Sequence, residues 1–110
     1  MIQIFGFKNC NDTKKAIRFF KDRKIDIQFI NLKEKEISKG ELKSIMITFD
    51  IEELLDREGK EFKKRNLNCY VFDTLELLME SPTLFKTPIL REKNKSTVGY
   101  RPEIWKEWIK

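Results

Sequence analysis

Cys10 is the residue with the plainest capacity for chemistry in this 110-residue chain. It lies between an apolar run, Ile2-Gln3-Ile4-Phe5-Gly6, and a polar stretch, Asn11-Asp12-Thr13-Lys14, that opens an amphipathic segment. This pattern places a thiol at a strand-to-helix turn. Backbone amides at a helix N-terminus point outward and carry the positive end of the dipole, so they favour a thiolate over a thiol. The same amides suit a bound oxyanion, which makes Asn11, Asp12, Thr13 and Lys14 the candidate anion-binding turn around a Cys10 nucleophile. The alternative is a buried cysteine acting as a small hydrophobe. The polar neighbours Lys8, Asn9, Asn11 and Asp12 favour the reactive reading.

The elements that must hold this turn follow from periodicity. Residues 2–5 read as a short buried strand, and residues 12–24 as a helix with Ala16, Ile17 and Phe20 on one side. Ile25-Asp26-Ile27-Gln28-Phe29 alternates as a strand does, so the first part is a βαβ unit with parallel pairing. A charged loop, Lys33-Glu34-Lys35-Glu36, leads to Ser38-Lys39-Gly40-Glu41, a capping box. Leu42, Ile45, Met46 and Phe49 have helical spacing there, and Ile51, Leu54 and Leu55 suggest a second short helix. Asp73-Thr74-Leu75-Glu76 repeats the capping pattern, with Leu75, Leu78 and Met79 inward and Ser81-Pro82 as the stop. Residues 88–91 and 96–100 then form an antiparallel hairpin around the turn Glu92-Lys93-Asn94-Lys95. Pro102 opens a last helix, whose Ile104, Trp105, Trp108 and Ile109 make an apolar face with both tryptophans in the core.

Composition narrows the function. At 40% hydrophobic content the chain supports one domain with one core. Two cysteines and the absence of a cationic apolar leader point to the cytoplasm and not to a disulfide scaffold. Without histidine, and with its cysteines far apart, the chain offers no metal site. No apolar run approaches the ~20 residues that span a bilayer. The 23 basic and 18 acidic residues are interleaved, so the net charge of +5 does not concentrate into a nucleic-acid face.

The order βαβ, helices, β-hairpin, helix is that of an α/β thioredoxin-like fold with an all-helical insertion: a core of residues 1–35 and 84–110 and an insert of 36–83. The chain resembles the glutaredoxin-linked arsenate reductase family and its relatives, the Spx-type regulators. The resemblance rests on Gly6-Phe7-Lys8-Asn9-Cys10 with Lys14-Lys15-Ala16, Leu54-Leu55, Glu80-Ser81-Pro82, Lys86-Thr87-Pro88-Ile89, and Gly99-Tyr100-Arg101-Pro102 before a tryptophan-containing helix.

The resemblance implies that Cys10 is the reactive cysteine of a thiol-dependent oxidoreductase. No cofactor would be bound, glutathione would be co-substrate, and glutathione or glutaredoxin the reductant. In the arsenate reductases the thiolate attacks arsenate, glutathione displaces the arsenic, and glutaredoxin resolves the mixed disulfide. Arg101 matches one anion-binding arginine of that family; its alternative is a surface arginine before a helix. Thr87-Pro88 matches the cis-proline segment that docks thiol peptides, whereas an ordinary trans proline opening an edge strand is the general expectation. Two departures weigh against arsenate. Thr87 stands where an arginine precedes the family's proline, and Asp56 where another follows the Leu-Leu pair, although the adjacent Arg57 is available as a replacement. Each lost charge-assisted contact costs about 2 kcal/mol. The other branch implies an Spx-like transcriptional regulator that binds the C-terminal domain of the RNA polymerase alpha subunit. Its Cys-x-x-Cys switch is missing, because Thr13 occupies the second position. Cys69, within Asn68-Cys69-Tyr70-Val71-Phe72, reads as a structural cysteine in or near the core.

Overall fold

The apolar run at the N-terminus becomes strand β1 (Ile2–Gly6), followed by helix α1 (Asn11–Asp22) and strand β2 (Ile27–Asn31). The computed structural model describes residues 1–93 and 95–109. β1 and β2 pair in parallel from Ile2 opposite Ile27 to Gly6 opposite Asn31. Beyond them come helices α2 (Lys39–Ile45), α3 (Lys60–Lys64) and α4 (Thr74–Glu80), with 3-10 turns at Ile51–Leu54, Leu67–Cys69 and Pro82–Leu84. Strands β3 (Ile89–Glu92) and β4 (Lys95–Val98) and helix α5 (Pro102–Trp108) complete the chain. Among the described residues the strands form one sheet in the order β2-β1-β3-β4, with β3 antiparallel to both β1 and β4. This is the thioredoxin-like arrangement. The hairpin turn expected over 92–95 includes Asn94, which lies outside the described residues.

Alternation along β1 divides the core into two layers. Ile2 and Ile4 pack with Ala16, Phe19 and Phe20 of α1, Leu90 of β3 and Trp105 of α5. Phe5 faces the other way, with Ile30, Ile89 and the buried residues of the long helical segment, including Ile45, Leu54, Leu78 and Phe85. Trp105 is fully buried against Phe19, Phe20 and Tyr100, and its indole N–H donates to Thr97 Oγ1 at 2.8 Å.

Local chemistry sets several boundaries as the sequence suggests. Ser38 and Glu41 form the full capping box, with bonds of 3.1 and 2.9 Å, and the Asp73 side chain accepts from the Glu76 amide. Other expectations need correction. α1 ends at Asp22, not Lys24, because Lys24 adopts φ 57° and Ile25 donates its N–H back to Phe20, so β2 starts two residues late, at Ile27. α2 stops at Ile45, and the second short helix forms as a 3-10 helix over Ile51–Leu54, ending before Leu55. Leu75 is 42% exposed, whereas Leu77, Leu78 and Met79 carry the inward contact of α4. Trp108 is only half-buried, and Ile104 is exposed.

Cys69 is a further correction: it is exposed, as are Tyr70 and Val71. The segment is a 3-10 turn running into extended chain, and Leu67 and Phe72 alone pack against the core. Among the described residues no strand pairs with this run, and Cys69, Tyr70 and Val71 are left in solvent.

Candidate active site

The chain leaves β1 at Gly6, where close packing demands glycine: a Cβ there would stand 2.4 Å from Thr13 Oγ1. Thr13 can therefore sit fully buried against the strand end, drawing the first turn of α1 up to the sheet. The intervening turn is closed by the Cys10 N–H donating to the Phe7 carbonyl at 3.0 Å. Cys10 itself is the N-cap of α1, with extended φ and ψ, and its carbonyl accepts from the Lys14 amide at 3.1 Å. Its side chain does not cap the helix. The first amides of α1 have no helical acceptors, and those of Asp12 and Thr13 lower the pKa of the nearby thiol.

From the opposite side comes the segment before β3. The Thr87–Pro88 peptide bond is cis. Thr87 Oγ1 donates to Cys10 Sγ at 3.2 Å, and its carbonyl oxygen stands 3.9 Å from the same sulfur. Burial pushes the Cys10 thiol up, but the hydroxyls of Thr13 and Thr87 and the amides of Thr13 and Asp12 outweigh it, so the net shift is downward. Thr13 Oγ1 is buried without a hydrogen-bond partner among the described residues. A neutral thiol is a weak acceptor and a thiolate a strong one, so ionisation of Cys10 gives this hydroxyl its bond.

Over the sulfur lies a hollow of about 370 Å³, walled by Phe7, Phe85 and Phe62 and bordered by Asp56, Lys60, Glu61 and Thr87. Its outer wall is secured to the segment before β3 through the Leu55–Phe85 bridge. Asp56 N–H donates to Leu84 O at 2.9 Å, and Lys86 N–H to Leu54 O at 2.7 Å. Among the described residues no group of three or more His, Cys, Asp or Glu is placed to hold a metal.

The structure thus brings Cys10, Thr13, Thr87 and Pro88 together, with the Asp12 amide. Asn11, Asp12 and Lys14 have exposed side chains that do not border the hollow. Neither arginine borders it. Arg57 bonds Glu52 at 2.9 Å, lies 5.5 Å from the Phe62 ring and 5.8 Å from the Phe72 ring, and borders a different hollow with Asn66 and Asn68. The Thr74 hydroxyl and Arg57 together hold the Glu52 carboxyl below its usual range. Arg101 is exposed beside Phe49, Lys86 and Val98 in another depression, and its backbone carbonyl accepts from the Ile104 and Trp105 amides of α5. Lys60 and Glu61, which the sequence reading did not single out, border the hollow over the thiol because the chain turns at Glu58-Gly59. The one signal was the lysine itself, just after Asp56-Arg57.

The sequence profile of the ArsC family matches residues 5–108. The regulatory protein MgsR of Bacillus subtilis is 31% identical over 106 residues, which is 92% of this chain and 84% of that protein. The global transcriptional regulator Spx 2 of Oceanobacillus iheyensis is 30% identical over 125 aligned positions, with 97% of this chain and 92% of that protein covered. A solution structure of an arsenate reductase (ArsC) related protein from Brucella melitensis is 30% identical, with a TM-score of 0.71 over 99% of this chain and 94% of that one.

Proposed function

The chain belongs to the ArsC family, and from that premise we propose that it is a cytoplasmic thiol-dependent oxidoreductase in which Cys10 works as a single nucleophile on disulfides, with glutathione or glutaredoxin as reductant. The observation that carries the reading is the Cys10 sulfur at the N-terminus of α1 with the Thr87 hydroxyl donating to it at 3.2 Å, supported by a net downward push on its pKa. The Cys10 thiolate attacks one sulfur of a mixed disulfide R–S–S–G, where G–S is glutathionyl. A Cys10–S–S–G bond forms, the original S–S bond breaks, and R–S⁻ departs and takes a proton from water. A glutathione thiolate then attacks the glutathionyl sulfur, releasing oxidised glutathione and restoring the Cys10 thiolate. No second protein cysteine is required, which suits Thr13 at the position where a resolving thiol would stand. Arsenate is a poor candidate for this hollow, because Arg57 and Arg101 border other depressions.

The test is turnover of a glutathionylated peptide by the protein and its Cys10→Ser variant, with glutathione, glutathione reductase and NADPH. Turnover at the uncatalysed rate in both proteins would refute the reading.

A second reading has its own support. The relatives MgsR and Spx 2 are named as regulators, and the exposed Met46 and Leu75 line an apolar depression on the helical segment with Leu42 and Met79. In this reading the chain binds the C-terminal domain of the RNA polymerase alpha subunit, and the complex survives Cys10→Ser. Failure of the purified polymerase domain to bind removes it.

A further inference from the structure

The hollow over Cys10 is bordered by two charges that have no partner among the described side chains: the Asp56 carboxylate and the Lys60 ammonium. Glu61 is occupied elsewhere, bonding Arg65 at 2.7 and 2.8 Å. Asp56 is fixed at the rim by its backbone. Its N–H donates to Leu84 O, its carbonyl accepts from the Gly59 N–H at 3.2 Å, and its half-buried side chain lies so close over Gly59 that a Cβ there would stand 2.7 Å from Oδ2. A dianion entering the hollow therefore meets one ammonium and an opposing carboxylate. A substrate carrying an ammonium, or an ammonium with a carboxylate, finds a complement for each charge.

We propose that Asp56 and Lys60 make this hollow charge-selective: it accepts disulfides whose arms are amino-acid zwitterions or amines and rejects purely anionic ones, with Asp56 receiving the ammonium and Lys60 the carboxylate. Asp56 is the specificity-determining residue. The inference rests on the reading of Cys10 as a thiolate nucleophile. The step it governs is one exchange: Cys10–S⁻ and R–S–S–R give Cys10–S–S–R and R–S⁻, which takes a proton from water.

The experiment uses the reduced full chain and four symmetrical disulfides: cystamine with two ammoniums, cystine with two zwitterions, neutral hydroxyethyl disulfide, and dithiodiglycolate with two carboxylates. Mass spectrometry follows the Cys10 adduct, and each rate is divided by that of the same disulfide with 2-mercaptoethanol, which removes intrinsic reactivity. In low salt the normalised rates for cystamine and cystine exceed that for dithiodiglycolate about tenfold. Asp56→Asn lowers the cystamine-to-hydroxyethyl ratio about fivefold. Gly59→Ala, which displaces the Asp56 carboxylate, lowers it in the same direction. Lys60→Gln lowers the cystine-to-cystamine ratio about threefold. Using ratios cancels any change in thiolate fraction. If hydroxyethyl disulfide reacts at Cys10 but the cystamine ratio ignores Asp56→Asn, the charge selection is overturned and the nucleophile stands. If none of the four disulfides reacts at Cys10, both fall.

Discussion

Replacing Thr87 by valine removes the one side-chain donor that reaches Cys10 from the segment before β3, and it keeps the branched shape beside Pro88. The hydroxyl stands 3.2 Å from the sulfur. A hydrogen bond to an ionised acceptor contributes about 1.5–3 kcal/mol. The lower end applies here, because Cys10 is half-buried and water competes for the sulfur. About 1.5 kcal/mol is close to a tenfold change in an equilibrium constant. At a pH below the Cys10 midpoint, thiolate fraction sets the alkylation rate, so Thr87→Val slows modification of Cys10 by iodoacetamide about tenfold at pH 6 and shifts its midpoint upward. Thr87→Ser retains the hydroxyl and stays within about threefold of the parent. Peptide mass spectrometry resolves the two cysteines, and the exposed Cys69 serves as internal reference in the same tube. If the valine variant reacts at the parent rate with an unmoved midpoint, the hydroxyl does not stabilise the thiolate, and the remaining weight rests on Thr13 and the helix amides.

The remaining predictions concern packing and protonation. Gly6→Ala forces Thr13 away from the end of β1, since the new Cβ would lie 2.4 and 2.7 Å from its Oγ1 and Cγ2; the expected loss is about 1–3 kcal/mol in urea unfolding, together with slower Cys10 alkylation. Because the native Cys10 pKa is depressed, its contribution to stability is present above the unfolded-state value of about 8.5 and is lost as pH falls through the native value. The stability of the parent relative to Cys10→Ser therefore rises with pH across that window, and a flat difference between pH 5 and pH 9 would contradict it. Trp105→Phe removes the indole N–H that pairs the buried Thr97 hydroxyl and leaves space among Phe19, Phe20 and Tyr100; about 2–4 kcal/mol of stability is lost by chemical denaturation.

The turn around Cys10 was legible from the sequence because its determinants are local. An apolar run ending in glycine, a polar tetrad and a helix of period 3.6 place the sulfur on a helix N-terminus whatever the rest of the chain does. The capping box at Ser38 and the side-chain cap at Asp73 belong to the same class, in which groups three residues apart meet as soon as the helix forms. Where periodicity misled, a competing backbone bond or the lack of a partner strand among the described residues decided the outcome. Ile25 alternates with its neighbours as a strand residue would, yet its amide closes the end of α1. Cys69 sits in an apolar stretch, yet that stretch pairs with no strand and lies outside.

What the sequence determined by itself is thus the position of the Cys10 sulfur at the N-terminus of α1 and the order of elements that forms a thioredoxin-like sheet. The charge of the site is another matter. Arg57 and Arg101 are cations in any reading of the chain, but Arg57 is drawn to Glu52 and the rings of Phe62 and Phe72, and Arg101 caps α5 with its backbone carbonyl. Asp56 and Lys60 reach the hollow instead, across a separation of some fifty residues from Cys10. A side chain's direction depends on how its own segment packs, and for residues 51–64 that packing is set by the Leu55–Phe85 bridge and the Asp56 and Lys86 backbone bonds. Only the tertiary structure forms those bonds, and so only it decides which charges a substrate meets.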